Sequence, residues 1–280
     1  TDVVRGMEYL SSTPKYNLIY NAFEWEIPRY IHCPPVMKDE HNKLSKRNGD
    51  ASFQDLVAKG YLPGAILNYI ALLGWSPEED KEIFTLEELV QAFNVKHIGK
   101  VGAIFDPDKL KWINGMWLRG MDLDSYYDLV KPYINQAVKG DFDGKKIAAI
   151  LQQRAETLVE IPDMLDFFDE FPAYDNALYV NKKMKTTLEV SLSSLQAAKE
   201  TLEAMDESNW NQENLHSVLL EIPKKLERKN GQVLFPLRLA LTGKQFTPGG
   251  AIEIADILGK NETLRRLDLS IAQLDKEVNA

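Results

Sequence analysis

Everything strand-like in this 280-residue chain lies in its first fifty residues; beyond them no segment of any length keeps a strand's period of two. Val3-Val4 reads as a short strand, cut off by Gly6. Thr13-Pro14 then starts a helix, because threonine can cap free backbone N–H groups and proline fits a first helical turn. Leu18, Ile19, Ala22 and Phe23 fall on one face of that helix. Pro28 separates it from a second strand, residues 29–33, which Pro34-Pro35 ends. Strand, helix, strand is one crossover unit of a parallel sheet. Two parallel strands cannot bury a sheet by themselves. The rest of that sheet is therefore expected outside this chain.

From residue 51 the pattern turns helical. Leu62-Pro63 begins a helix carrying Ile66, Leu67, Tyr69, Ile70 and Leu73 up to Gly74. Thr85-Leu86-Glu87-Glu88 spells a capping box, and Asp106-Pro107 opens a further helix. More helical runs are predicted near 123–138, 145–158, 184–204 and 212–226. Thr247-Pro248 opens another, ended by Gly259, and 261–276 is the last. A boundary is predicted at residues 140–144, where two glycines and two aspartates interrupt the helices.

The balance of 33 basic against 42 acidic residues, net −9, argues against a uniformly basic surface but not against local patches. With 44% apolar residues the chain can bury a core, and no run approaches the ~20 apolar residues of a membrane span. One cysteine, Cys33, excludes a disulfide framework within the chain and a cysteine-rich zinc site. His32 and Cys33 are adjacent on a strand, point to opposite faces and cannot chelate together, so no metal is expected. A cytoplasmic protein, without membrane contact and monomeric, is the expectation.

Charge is distributed unevenly. Residues 155–175 carry seven acids and no base. Residues 222–247 carry Lys224, Lys225, Arg228, Lys229, Arg238 and Lys244 against Glu227 alone. Such a run is either a solvated helix face or a phosphate-contacting patch. The sharpest local feature is Lys43-Leu44-Ser45-Lys46-Arg47 with Asn48-Gly49 behind it, in a polar loop past a strand of an α/β unit. Open α/β sheets bind ligands beyond their strands' carboxyl ends. Mobile ammonium groups there suit a triphosphate whose charge shifts during reaction.

That string stands in a series. Arg5-Gly6-Met7-Glu8-Tyr9-Leu10-Ser11-Ser12-Thr13-Pro14 precedes it; Gly60-Tyr61-Leu62-Pro63-Gly64, Lys111-Trp112-Ile113-Asn114-Gly115 and Phe235-Pro236-Leu237-Arg238-Leu239-Ala240-Leu241-Thr242-Gly243 follow. In this order and spacing the whole chain resembles the bacterial glutamyl-tRNA synthetases, class I aminoacyl-tRNA synthetases whose Lys-Met-Ser-Lys-Ser signature matches Lys43–Arg47. Their other signature, His-Ile-Gly-His, is absent: the four histidines stand at 32, 41, 97 and 216. The expectation is the C-terminal part of such an enzyme, lacking the N-terminal half.

The resemblance implies a mainly α fold: residues 1–50 as a remnant of the Rossmann catalytic domain, 51–140 as a helical stem-contact region, and 141–280 as an all-helical anticodon-binding domain. It implies ATP, with Mg²⁺, L-glutamate and tRNA(Glu) as the substrates of the full-length enzyme. Lys43, Ser45 and Lys46 would be catalytic, with Lys46 on the triphosphate and Arg47 either beside it or solvated. Val36 and Met37 would meet adenine through their backbone. Arg5 and Tyr9 would line the glutamate pocket; the alternatives are an ion pair of Arg5 with Glu8 and core packing of Tyr9. Arg154 would select the third anticodon base or else pair with neighbouring acids. Lys224, Lys225, Arg228, Lys229, Arg238 and Lys244 would touch tRNA phosphates or the anticodon loop. Trp112 and Asn114 would hold the fold more than they touch RNA. The competing readings are a free-standing tRNA-binding or regulatory protein derived from a synthetase tail, and a helical scaffold with no RNA role.

Overall fold

The computed structural model describes residues 2–44 and 52–279. The chain divides into two compact units, up to Gly120 and from Met121 onward.

In the first unit β1 (Asp2–Gly6) and β2 (Arg29–Cys33) pair in parallel with Arg5 opposite His32, and α1 (Thr13–Ala22) makes the crossover. Pro14 lies in the first turn of α1, as the sequence predicts. This small α/β piece buries nothing fully: Val4, Leu10, Leu18, Ile19, Phe23 and Trp25 are each more than half exposed. The hydrophobic core of the unit lies instead among α2 (Phe53–Ala58), α3 (Pro63–Gly74) and α5 (Pro107–Arg119), where Leu56, Ala65, Ile66, Tyr69, Leu110 and Ile113 meet. Asn114 is fully buried there and accepts a hydrogen bond from Leu62 N–H (2.8 Å), which fixes the entry to α3. Tyr69 is buried; its oxygen accepts from Asp106 N–H at the start of α5, and burial pushes its phenol up to about 12. The short α4 (Leu86–Ala92) starts on the capping box at Thr85 and Glu88.

The second unit is built mainly of helices: α6 (Leu123–Ala137), α7 (Gly144–Gln152), α8 (Ile161–Leu165), α9 (Leu188–Glu203), α10 (Gln212–Lys225), α11 (Asn230–Thr242) and α12 (Ala251–Val278). α12 is two helices joined at Gly259, whose φ of 76° breaks the ladder where glycine alone is unstrained. Its second half carries Arg266, only 1% exposed, into the core. That guanidinium donates to the carbonyls of Phe167, Phe168 and Leu241 and to the carboxylate of Glu262, at 2.6–2.9 Å. One side chain thus ties α12, α11 and the acidic segment together.

Candidate nucleotide and anticodon sites

Two places gather the side chains that the sequence singles out. The first is the carboxyl end of the two-stranded sheet. Arg5 is the fourth residue of β1, and the turn after it returns Tyr9 beneath its guanidinium, 3.8 Å from the ring centroid. Thr13 at the start of α1 donates to Tyr9 C=O (2.9 Å) and also meets His32 Nε2 (3.3 Å), while His32 Nδ1 faces Gly6 C=O (3.4 Å). The turn is therefore pinned at three points. Arg5 makes no ion pair among the described residues, so its fork stands over an aromatic face without an acid. Such a guanidinium can take a carboxylate in two parallel hydrogen bonds.

Beyond β2 the chain forms a small hairpin. Met37 bridges Lys43 in antiparallel fashion, Lys38 N–H donates to Asn42 C=O (2.7 Å) and Leu44 N–H donates to Val36 C=O (3.1 Å). Asp39 accepts from the side-chain amide of Asn42 and from the backbone N–H groups of His41 and Asn42, which closes the turn and holds its carboxyl below the ordinary range. Met37 spends both backbone groups on Ala103 C=O and Phe105 N–H. Val36 N–H has no partner among the described residues. Lys43 is exposed at the end of the hairpin. Ser45, Lys46 and Arg47 lie outside the described residues.

The second place is a pocket of about 360 Å³ in the helical unit, walled by Arg154, Arg238, Asp163, Met164, Phe246 and the Thr247–Pro248 turn. Arg154 follows the end of α7, and Arg238 projects from α11. Arg238 donates from Nη2 to Gln245 C=O (2.8 Å), but its buried Nε–H has no partner. Burial first, and the charge of Arg154 second, push the Arg238 guanidinium below its ordinary value. Neither arginine is paired with an acid among the described residues. Phe246, 84% exposed, stands on the rim. The sequence reading missed Phe246; the signal is an aromatic residue within a Lys-Gln-Phe-Thr-Pro-Gly-Gly connection, where no core can claim it.

The other basic candidates divide. Arg228 is committed to structure, donating to Val190 C=O (3.0 Å) and to the hydroxyls of Ser194 (2.8 Å) and Ser193 (2.9 Å). Lys224 pairs with Glu221 (2.7 Å), and Lys244 with Asp166 while also donating to Asp163 C=O. Lys225 and Lys229 are exposed and unpaired among the described residues. No group of three or more metal-ligating side chains occurs among the described residues.

Comparison with known proteins matches two stretches of the chain to known domains. Residues 1–112 match the catalytic domain of class I tRNA synthetases of the E and Q type, and residues 125–271 match an anticodon-binding domain. The chain is 57% identical to glutamate–tRNA ligases of Clostridium botulinum, over 98% of this chain and 56% of the relative, and of Clostridium tetani, over 100% and 57%. Among solved structures it is similar to a glutamate–tRNA ligase of Elizabethkingia meningosepticum in complex with its amino acid, with a TM-score of 0.80, 27% identity, and coverage of 98% and 57%. A glutamate–tRNA synthetase of Elizabethkingia anophelis gives 0.78 at 27% identity, covering 97% and 57%. A catalytic-domain portion with an appended anticodon-binding domain defines a class I aminoacyl-tRNA synthetase. The chain spans a little over half the length of the curated relatives it matches. Within that class it belongs to the glutamate–tRNA ligase family.

Proposed function

We propose that this chain is the tRNA-gripping part of an enzyme that joins L-glutamate to tRNA(Glu), and that it also supplies the cationic segment Lys43–Arg47 of the ATP site. In that reaction a carboxylate oxygen of glutamate attacks the α-phosphorus of ATP and pyrophosphate leaves. The terminal ribose hydroxyl of the tRNA then attacks the adenylate carbonyl and AMP leaves. Both steps are catalysed by orientation and charge stabilisation, with no covalent protein intermediate. Mg²⁺ would enter with ATP, its ligands drawn mainly from phosphate oxygens and water.

Arg5, free of an acid and stacked on Tyr9, receives a substrate carboxylate. Val36 N–H is the backbone donor left open for adenine. Lys43, Ser45 and Lys46 close on the triphosphate, with Lys46 the main contact. Arg154 and Arg238 receive bases of the anticodon loop, Arg154 discriminating at the third base, while Phe246 offers a stacking plane. Residues 51–140 face the tRNA stem. These 280 residues by themselves do not charge tRNA, because the His-Ile-Gly-His half of the ATP site is not among them.

The observation that carries this reading is the pair Arg154 and Arg238, neither ion-paired among the described residues, in one pocket with an exposed phenylalanine. An acidic protein has abundant carboxylates with which to neutralise two neighbouring guanidinium groups; leaving them unpaired suits an incoming anionic, planar ligand. The test is binding of the 280-residue chain to tRNA(Glu) as salt is varied. Affinity should fall steeply with salt; a flat response contradicts an RNA surface. Addition of the family's N-terminal half, in one polypeptide, should then give charging that Lys46→Ala reduces by roughly 10²–10³-fold. Unchanged turnover in that variant removes Lys46 from its role.

A further inference from the structure

The basic run at 224–229 is half of a larger surface. The segment Asn181–Thr186 folds into a tight turn: Asn181 and Thr186 exchange backbone hydrogen bonds (3.2 and 3.1 Å), and Asn181 Oδ1 accepts from Lys183 N–H (2.9 Å) and Met184 N–H (3.0 Å). Lys182, Lys183 and Lys185 stand exposed at its tip. The turn is docked on the start of α11: Gln232 Nε2 donates to Lys185 C=O (3.1 Å), and its Oε1 accepts from Lys229 N–H (3.0 Å). Met184 lies under Gly231, with its sulfur 3.0 Å from where a Cβ would stand. Arg228 fastens the same end to α9 through Val190, Ser193 and Ser194. Thus lysines about 45 residues apart in sequence share one end of the unit.

Lys182, Lys183, Lys185, Lys225 and Lys229 have no ion pair among the described residues. Lys185 also takes φ 57°, a left-handed conformation that favours glycine. The amino end of α11 adds the positive end of its dipole and has no acid in its first turn. Arg238 stands nine residue steps after Lys229, the N-cap of α11, about 14 Å along the helix axis, or the rise of roughly four stacked nucleotides.

We propose that this lysine cluster is a second, sequence-independent contact of the helical unit: it holds the sugar–phosphate backbone of the same RNA whose loop enters the Arg154–Arg238 pocket. The inference rests on the anticodon-binding reading above. The cluster reads charge alone, since exposed ammonium groups present no fixed geometry to base edges.

The experiment compares the wild-type chain with the quadruple variant Lys182→Ala, Lys183→Ala, Lys185→Ala, Lys229→Ala, using a tRNA(Glu) transcript between 50 and 200 mM salt. Each lost phosphate contact removes about 0.7–0.9 from the log–log slope. The variant should therefore lose a slope of roughly 3, so its affinity declines across that range about 60-fold less than the wild type's. A Lys276→Ala control should keep the wild-type slope. Discrimination between tRNA(Glu) and a third-anticodon-base variant should be unchanged by the quadruple substitution. Tight binding with an unaltered slope overturns the cluster and leaves the anticodon pocket standing. Wild-type chain that does not bind the transcript overturns the underlying reading as well.

Discussion

Arg154 and Arg238 line the same pocket, neither ion-paired among the described residues, and the charge of Arg154 adds to burial in lowering the proton affinity of Arg238. Two like charges in one cavity are held there by the fold, at an electrostatic cost that a bound anion would relieve. Replacing either by alanine should weaken tRNA binding by about 1–3 kcal/mol. Because they share a ligand, the double variant should lose less than the sum. Fluorescence anisotropy of labelled tRNA(Glu) measures all three.

Phe246 separates recognition from stability. At 84% exposure its ring supports no core, so Phe246→Ala should leave the urea midpoint in place. A base stacked on the ring contributes about 1–3 kcal/mol, which the same variant should lose in binding. Phe246→Tyr, which keeps the plane, should bind as the wild type does.

Arg266 is the opposite case. Its guanidinium serves three buried carbonyls, so Arg266→Met strands those carbonyls in the core. Urea unfolding should show a loss of at least about 3 kcal/mol. A loss below 1 kcal/mol contradicts the clamp.

Glu262 links this clamp to pH. Hydrogen bonds from Arg265 and Arg266 hold its carboxyl below the ordinary range. A carboxyl depressed in the folded state stabilises at neutral pH, and that contribution is lost as pH falls through the folded-state value. Thermal midpoints of the wild type should therefore drop on acidification below about pH 4.5 more steeply than those of Glu262→Gln, which starts lower at pH 7.

Much of this was legible in the sequence because local rules and tertiary structure agree. Proline at 14, 63 and 107, the capping box at Thr85 and Glu88, and the glycine at 259 mark helix ends in the structure as in the sequence. The α/β opening is equally legible, since β1 and β2 pair in parallel around α1. What was not legible depends on long-range partners. Arg228 looks like any other cation of its run, yet the hydroxyls of Ser193 and Ser194 that claim it lie some 35 residues away. Arg266 sits in an Arg-Arg pair on a polar-looking helix, and only packing shows which of the two is buried. Phe246 and Lys182–Lys185 lie in connections, where periodicity carries no signal.

The account stands most directly on whether the helical unit reads the anticodon. Affinity of the 280-residue chain should be measured for tRNA(Glu) and for the same transcript with its third anticodon base changed from C to G, in wild type and in Arg154→Ala. The account predicts that the base change weakens wild-type binding by about 1–3 kcal/mol and that Arg154→Ala erases the difference. Equal wild-type affinity for the two transcripts would contradict it.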